Sequence, residues 1–167
     1  MKLTIIGAGS TYTPELVYGF LTSSGGSASI SEITLSDVDP HRLDIVGGYC
    51  IAMADSISSG ISFSKESVLE KALLGADFVV TQIRVGGNVV RARDEEFVAG
   101  LGLVAQETTG AVGFMKAYRT IPVMADIVSR VRMVCPDAFL INFTNPAGII
   151  SSAVSRATGW HNLVGLC

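Results

Sequence analysis

The tetrapeptide Gly7-Ala8-Gly9-Ser10 constrains this chain more than any other feature. It follows an apolar run over residues 3–6, which reads as a parallel strand buried on both faces. It precedes Thr13-Pro14-Glu15, where an N-cap, a first-turn proline and a first-turn acid start a helix running to about residue 22 and ending in Ser23-Ser24-Gly25-Gly26. A second strand over residues 32–36 closes on Asp37. Strand, glycine turn, helix, strand and acid, in that order, form the pattern of a dinucleotide-binding βαβ unit. Gly7 and Gly9 permit a tight turn and close backbone approach to a pyrophosphate, and the helix N-terminus beyond supplies N–H groups and a positive dipole end. Tyr12 replaces the usual third glycine, with Ser10 and Thr11 as added hydroxyl donors. Asp37 is expected to accept from the adenosine ribose hydroxyls, and its charge disfavours a 2′-phosphate, which favours NAD over NADP. The plainer alternative is that the glycines only turn the chain and Asp37 only caps.

The rest of the chain continues the alternation. Asp39-Pro40 starts a helix with Leu43, Val46, Tyr49 and Cys50 on one side. Residues 61–63 read as a short strand, 67–74 as a helix and 77–82 as a strand. Residues 84–120 are glycine-rich and less regular. Residues 122–134 read as a helix with Val123, Ile127, Val131 and Val134 on one face, 138–141 as a strand, 146–158 as a helix and 162–166 as a strand. Strands alternating with helices predict a Rossmann-like, doubly wound parallel sheet of about six strands, covered on both faces. In such a sheet the unusual polar segments all fall on the carboxyl rim, where these folds bind ligands.

Composition supports this reading. Of 167 residues, 49% are apolar and 18 are glycine, as in a tightly packed α/β protein. The net charge of −3 and the lack of a basic run argue against a nucleic-acid surface. No uncharged apolar segment of about 18 residues predicts a membrane span, and residues 1–6 do not resemble a signal peptide. The three cysteines, Cys50, Cys135 and Cys167, lack metal-type pair spacing, so a reduced, cytoplasmic protein is expected. The chain stops straight after the apolar run at residues 163–166, which suggests a piece of a longer protein.

Several rim residues could carry chemistry. Three arginines between Arg84 and Arg93 could clamp a phosphate or carboxylate, or form a solvated, salt-bridged helix start. Glu107, within Gln106-Glu107-Thr108-Thr109-Gly110, could be catalytic, capping or simply exposed. In Asn142-Phe143-Thr144-Asn145-Pro146, a buried strand should not end in two asparagines without partners. Asn145 could meet a ligand, cap the following helix, or both. Cys167 alone reads most simply as a core cysteine, as do Cys50 and Cys135. His41 reads as exposed and His161 as a turn residue.

Taken together these segments resemble the N-terminal portion of glycoside hydrolase family 4, most of all its 6-phospho-β-glucosidases. The resemblance is carried by Gly7-Ala8-Gly9-Ser10-Thr11, Asp37-Val38-Asp39, Arg84-Val85-Gly86-Gly87, Arg91-Ala92-Arg93-Asp94-Glu95, Gln106-Glu107-Thr108, Arg119-Thr120-Ile121-Pro122, Asn142-Phe143-Thr144-Asn145-Pro146 and Gly165-Leu166-Cys167. It implies a glycosidase that uses NAD and a divalent metal, typically Mn²⁺, outside the two-carboxylate scheme. Carbon 3 of the sugar is oxidised, a tyrosine removes the acidified carbon-2 proton, and the metal stabilises the enediolate. The aglycone leaves, water adds, and the hydride returns, so the cofactor is not consumed.

By the same resemblance, Arg91 and Asn145 bind substrate, Glu107 raises the basicity of the tyrosine, and Cys167 is a metal ligand. Gly7, Gly9, Ser10, Thr11, Asp37 and Arg84 hold NAD. The tyrosine and a histidine ligand are expected beyond residue 167. Residues 1–167 would then be the NAD-binding domain of a longer enzyme, inactive alone, whose whole form acts on phosphorylated β-glucosides as a homo-oligomer. A lactate/malate dehydrogenase relative and an α-specific family 4 glycosidase are the alternatives.

Overall fold

The computed structural model describes residues 1–22, 30–57 and 60–166. It contains β1 (Lys2–Ile6), α1 (Thr13–Thr22), β2 (Glu32–Ser36), α2 (Pro40–Ser56), β3 (Ser62–Glu66) and α3 (Leu69–Leu73). These are followed by β4 (Phe78–Thr81), α4 (Gly87–Gly100), α5 (Gly110–Val134), β5 (Phe139–Asn142), α6 (Ala147–Thr158) and β6 (Leu163–Gly165). The six strands form one sheet in the order β3-β2-β1-β4-β5-β6, and every pairing is parallel. This is the doubly wound Rossmann order, with its topological switch between β1 and β4.

Two apolar layers sandwich the sheet because successive strand residues face opposite ways. Leu3 and Ile5 of β1 point into one layer with Ile33, Leu35 and Val80, closed by Val17 of α1 and by Leu43 and Cys50 of α2. Ile6, Val79 and Leu140 point into the other, closed by Met124, Val128 and Val131 of α5 and by Ile150 and Val154 of α6. Thr4, also buried, donates its hydroxyl to the Ala72 carbonyl at 2.9 Å, so a polar group in the core is satisfied. Asp39 starts α2 as expected, accepting from the His41 and Arg42 N–H groups at 3.0 Å. Tyr49 does not join the apolar side of α2 and is exposed.

The stretch over residues 84–120 differs from expectation. It is not irregular, because it contains α4 and the first half of α5. Its glycines mark helix boundaries. Gly86 takes the α4 N-cap position with φ +85°, and Gly110, with φ +65°, opens α5. Pro122 does not start a helix but lies inside α5. Buried Lys116, Ala117, Thr120, Met124, Ile127, Val128 and Val131 form one continuous packed stripe there, and that packing overrides the proline. The expected helix-ending segment Ser23-Ser24-Gly25-Gly26 and Cys167 lie outside the described residues. Among the described residues, no helix is long and apolar enough to cross a membrane.

Candidate active site

Parallel pairing sends every strand out at the same rim. Gly7 follows β1, Asp37 follows β2, Gln82-Ile83-Arg84 follows β4, and Phe143-Thr144-Asn145 follows β5. They border an open cleft of about 1410 Å³ whose walls include Gly7, Gly9, Ser10, Thr11, Asp37, Arg84, Glu107 and Asn145. The structure therefore brings all but two of the expected site residues to one cleft. Arg91 faces an adjoining narrow recess shared with Arg84, Glu107 and Lys116, and Cys167 lies outside the described residues.

The glycine turn is shaped by what surrounds it. Gly7 has φ +88°, and a Cβ there would stand 2.7 Å from the Gln82 carbonyl oxygen. The Gly7 and Ala8 N–H groups both donate to the Ser36 carbonyl at 2.9 Å, which locks the turn onto β2. Gly9 is confined by side chains as well. A Cβ there would meet Arg42 Cβ at 2.8 Å and Asp37 Oδ2 at 2.9 Å. Asp37 Oδ2 accepts from the Gly9 N–H at 2.8 Å, and Arg42 donates through Nε and Nη2 to the Gly9 carbonyl at 3.0 and 2.7 Å. Thr13 does not cap α1 with its hydroxyl, which instead accepts from Gln82 Nε2 at 2.6 Å. Gln82 Oε1 is buried at the cleft wall with no hydrogen-bond partner. A cradle too tight for Cβ atoms, a helix N-terminus beyond it and an orphaned acceptor at its wall fit a dinucleotide.

The second wall is built around Glu107. Its Oε1 accepts from Arg84 and Lys116, and its Oε2 pairs with Arg91 Nη1 at 2.9 Å. Arg91 also donates to Glu95 at 2.7 Å, one helical turn along α4. The salt-bridged reading of this arginine-rich stretch is realised at Arg91, which pairs with Glu95 within its helix and with Glu107 across the recess. Burial would raise the Glu107 pKa, but Lys116 and Arg84 outweigh it and hold the carboxyl below its ordinary range. Burial is the main cause that lowers the Lys116 pKa, against the pull of Glu107, and Arg84 and Arg91 lower it further. Glu107 is therefore an ionised group fixed by three cations, not an exposed loop acid. Nearby, buried Asp94 accepts from Arg119 at 2.5 Å.

The β5 loop resolves the asparagine question in two ways. Asn142 is fully buried and satisfied: Oδ1 accepts from Thr81 Oγ1 at 3.0 Å and from the Thr144 N–H at 2.9 Å. Its Nδ2 donates to the Thr144 carbonyl at 3.2 Å and to Ser151 Oγ at 3.1 Å. Its role is to hold the loop. Asn145 lies at the cleft wall, joined to Pro146 by a cis peptide. Pro146, not Asn145, takes the N-cap position of α6.

Sequence reasoning missed Lys116, Arg42 and Gln82. Lys116 sits on a helix nine residues beyond Glu107, and only tertiary packing brings the two together. Arg42, three residues past the Asp39 cap, reads as an ordinary first-turn residue. Gln82 could have been flagged, as a polar residue ending a buried strand. Among the described residues, no group of three or more His, Cys, Asp or Glu side chains could hold a metal ion. The described residues alone thus do not form a metal centre.

The model of the family described as family 4 glycosyl hydrolase matches residues 2–167. A 6-phospho-β-glucosidase from Escherichia coli K12 is 43% identical over 100% of this chain and 37% of its own length. A 6-phospho-β-glucosidase from Thermotoga maritima, solved with manganese, NAD⁺ and glucose-6-phosphate, superposes with a TM-score of 0.92 at 35% identity. That match covers 100% of this chain and 40% of the other. A 6-phospho-α-glucosidase from gut microorganisms, solved with NAD and Mn²⁺, gives a TM-score of 0.92 at 28% identity over 99% of this chain and 38% of the other. The chain thus spans well under half the length of these relatives.

Proposed function

The chain belongs to glycosyl hydrolase family 4, and from that premise we propose that it is the NAD-binding domain of a longer 6-phospho-β-glucosidase that uses a divalent metal. One observation carries the proposal: the glycine cradle and the Arg84–Glu107–Lys116 cluster line the same cleft. A cofactor held on the cradle would lie in the cleft that this charged cluster also borders. The β preference rests on the higher identity to the 6-phospho-β-glucosidases, 43%, 40% and 35%, against 31% and 28% for two 6-phospho-α-glucosidases. A lactate/malate dehydrogenase is not favoured, because the family match runs over residues 2–167.

NAD, when bound, would supply reversible hydride chemistry at a sugar carbon. The chain's own residues do the rest of what this portion contributes. Gly7 and Gly9 keep the backbone clear for the pyrophosphate, with Ser10 and Thr11 as hydroxyl donors beside it. Asp37 accepts from the adenosine ribose. Arg84 stands where the cofactor wall meets the sugar wall. Arg91 and the Asn145 amide bind the phosphorylated sugar, the one by charge and the other through hydroxyls. Glu107, kept ionised by its cations, acts through its field and its hydrogen bonds rather than as a general base. Cys167 gives one metal ligand, with Mn²⁺ as the expected ion, and the remaining ligands and the tyrosine base come from the rest of the enzyme. The reading extends to a cytoplasmic homo-oligomer, which sizing of the full-length protein tests.

The deciding experiment offers the full-length protein a chromogenic 6-phospho-β-glucoside, its α anomer and a set of 2-hydroxy acids, with NAD⁺ and Mn²⁺. Aryl-group release from the β anomer without net NADH is expected. NADH accumulation from a hydroxy acid would overturn the reading, and faster release from the α anomer would overturn its β assignment. Residues 1–167 alone are expected to bind NAD and hydrolyse nothing. Cys167→Ser in the full-length enzyme should abolish metal-dependent turnover and leave NAD binding nearly intact.

A further inference from the structure

In Rossmann folds an acid at the end of β2 selects a free ribose, whereas a nearby arginine accommodates a 2′-phosphate. This chain carries both, Asp37 and Arg42, on one wall of the cleft. A single residue, Gly9, holds them there, through its N–H and its carbonyl. Asp37 Oδ2 accepts from the Gly9 N–H at 2.8 Å, and Oδ1 accepts from the Asp39 N–H at 2.9 Å. Two backbone donors therefore fix the carboxylate, which cannot swing aside for a second anion. Arg42 does not pair with it. Nε and Nη2 lie on the Gly9 carbonyl at 3.0 and 2.7 Å, and no ion pair joins Arg42 to an acid among the described residues. A guanidinium has five N–H donors in a planar fork suited to phosphate, so Nη1 remains available at the cleft wall.

We propose that Arg42 is a second specificity-determining residue of the cofactor site: an anchor for a ribose 2′-phosphate that the charge of Asp37 keeps out of use. The inference rests on the NAD reading above. Asp37 excludes the phosphorylated dinucleotide by like-charge repulsion at short range. Arg42 meanwhile holds the turn through the Gly9 carbonyl, and the same head group would meet the phosphate once that repulsion is removed. Cofactor choice is then set by one charge rather than by the shape of the pocket.

The test titrates NAD⁺ and NADP⁺ calorimetrically into the full-length protein and its D37N, D37S, R42L and D37N/R42L variants, each checked for folding by thermal melt. D37N keeps the size of the side chain and an acceptor for Gly9, while D37S covers the case in which D37N fails to fold. Wild type should bind NAD⁺ about 100-fold more tightly than NADP⁺. D37N should bind NADP⁺ about tenfold more tightly than wild type does, and the gain should weaken with salt. Adding R42L should erase that gain. A gain that survives R42L overturns the role of Arg42, and the absence of any gain in both Asp37 variants overturns the proposal. Failure of wild type to bind either dinucleotide would instead remove the NAD reading on which it rests.

Discussion

A methyl group on Gly7 would press on the Gln82 carbonyl at 2.7 Å, from a backbone at φ +88° that L residues rarely adopt. Gly7→Ala is therefore expected to cost about 2 kcal/mol, read as a lower urea midpoint, and to weaken NAD binding. Glu107 gives a prediction in pH. Its folded pKa lies below the ordinary value of 4.5, because Lys116 and Arg84 outweigh burial. Such a group stabilises fully above its unfolded pKa and loses that contribution as pH falls through the folded one. The melting temperature should therefore fall as pH drops below 4.5, and Glu107→Gln should flatten this part of the curve. Gly7 and Asp37 were legible in the sequence because a local order of strand, turn and acid identifies them. Lys116 was not, because a buried lysine on an apolar stripe gives no periodic signal until its partner is placed beside it.

At the scale of elements, α5 positions the loop that carries Glu107. Gly113 lies in its first turns, and a Cβ there would stand 2.8 Å from both the carbonyl carbon and the oxygen of Thr108. Gly113→Ala should push this backbone away from the helix and displace Glu107, the residue just before Thr108. We expect a loss of about 1–2 kcal/mol by urea denaturation, with the Glu107 part of the acid dependence reduced as well. Most strands were legible as short apolar runs and the later helices by their apolar period, whereas β3 carries one apolar residue, Phe63. The first half of α5 and all of α4 were hidden, because glycines that end and begin helices look like glycines in loops. Only the long-range packing of Lys116, Thr120 and Met124 tells the two apart.

For the whole molecule, the sheet order puts two distant stretches of chain, one near Gly7 and one near Arg84, side by side across the β1–β4 switch. Binding that bridges them should stabilise the fold as a unit. At NAD⁺ about 100-fold above its dissociation constant, the full-length protein should gain about 2.7 kcal/mol, read as a higher melting temperature. No shift at that concentration would argue against a dinucleotide in this cleft. The sheet and its rim could be read from the alternation of elements, but the metal centre could not, since its one expected ligand here is Cys167.

The hydrogen bond from the Ile83 N–H to Thr144 Oγ1, at 2.9 Å, and the closed set of bonds around Asn142 have a mechanical consequence. The loops bearing Arg84 and Asn145 are riveted to each other and to the ends of β4 and β5. They form a single stiff jaw. A ligand reaching between Arg84 and Asn145 therefore meets two loops that move together rather than apart.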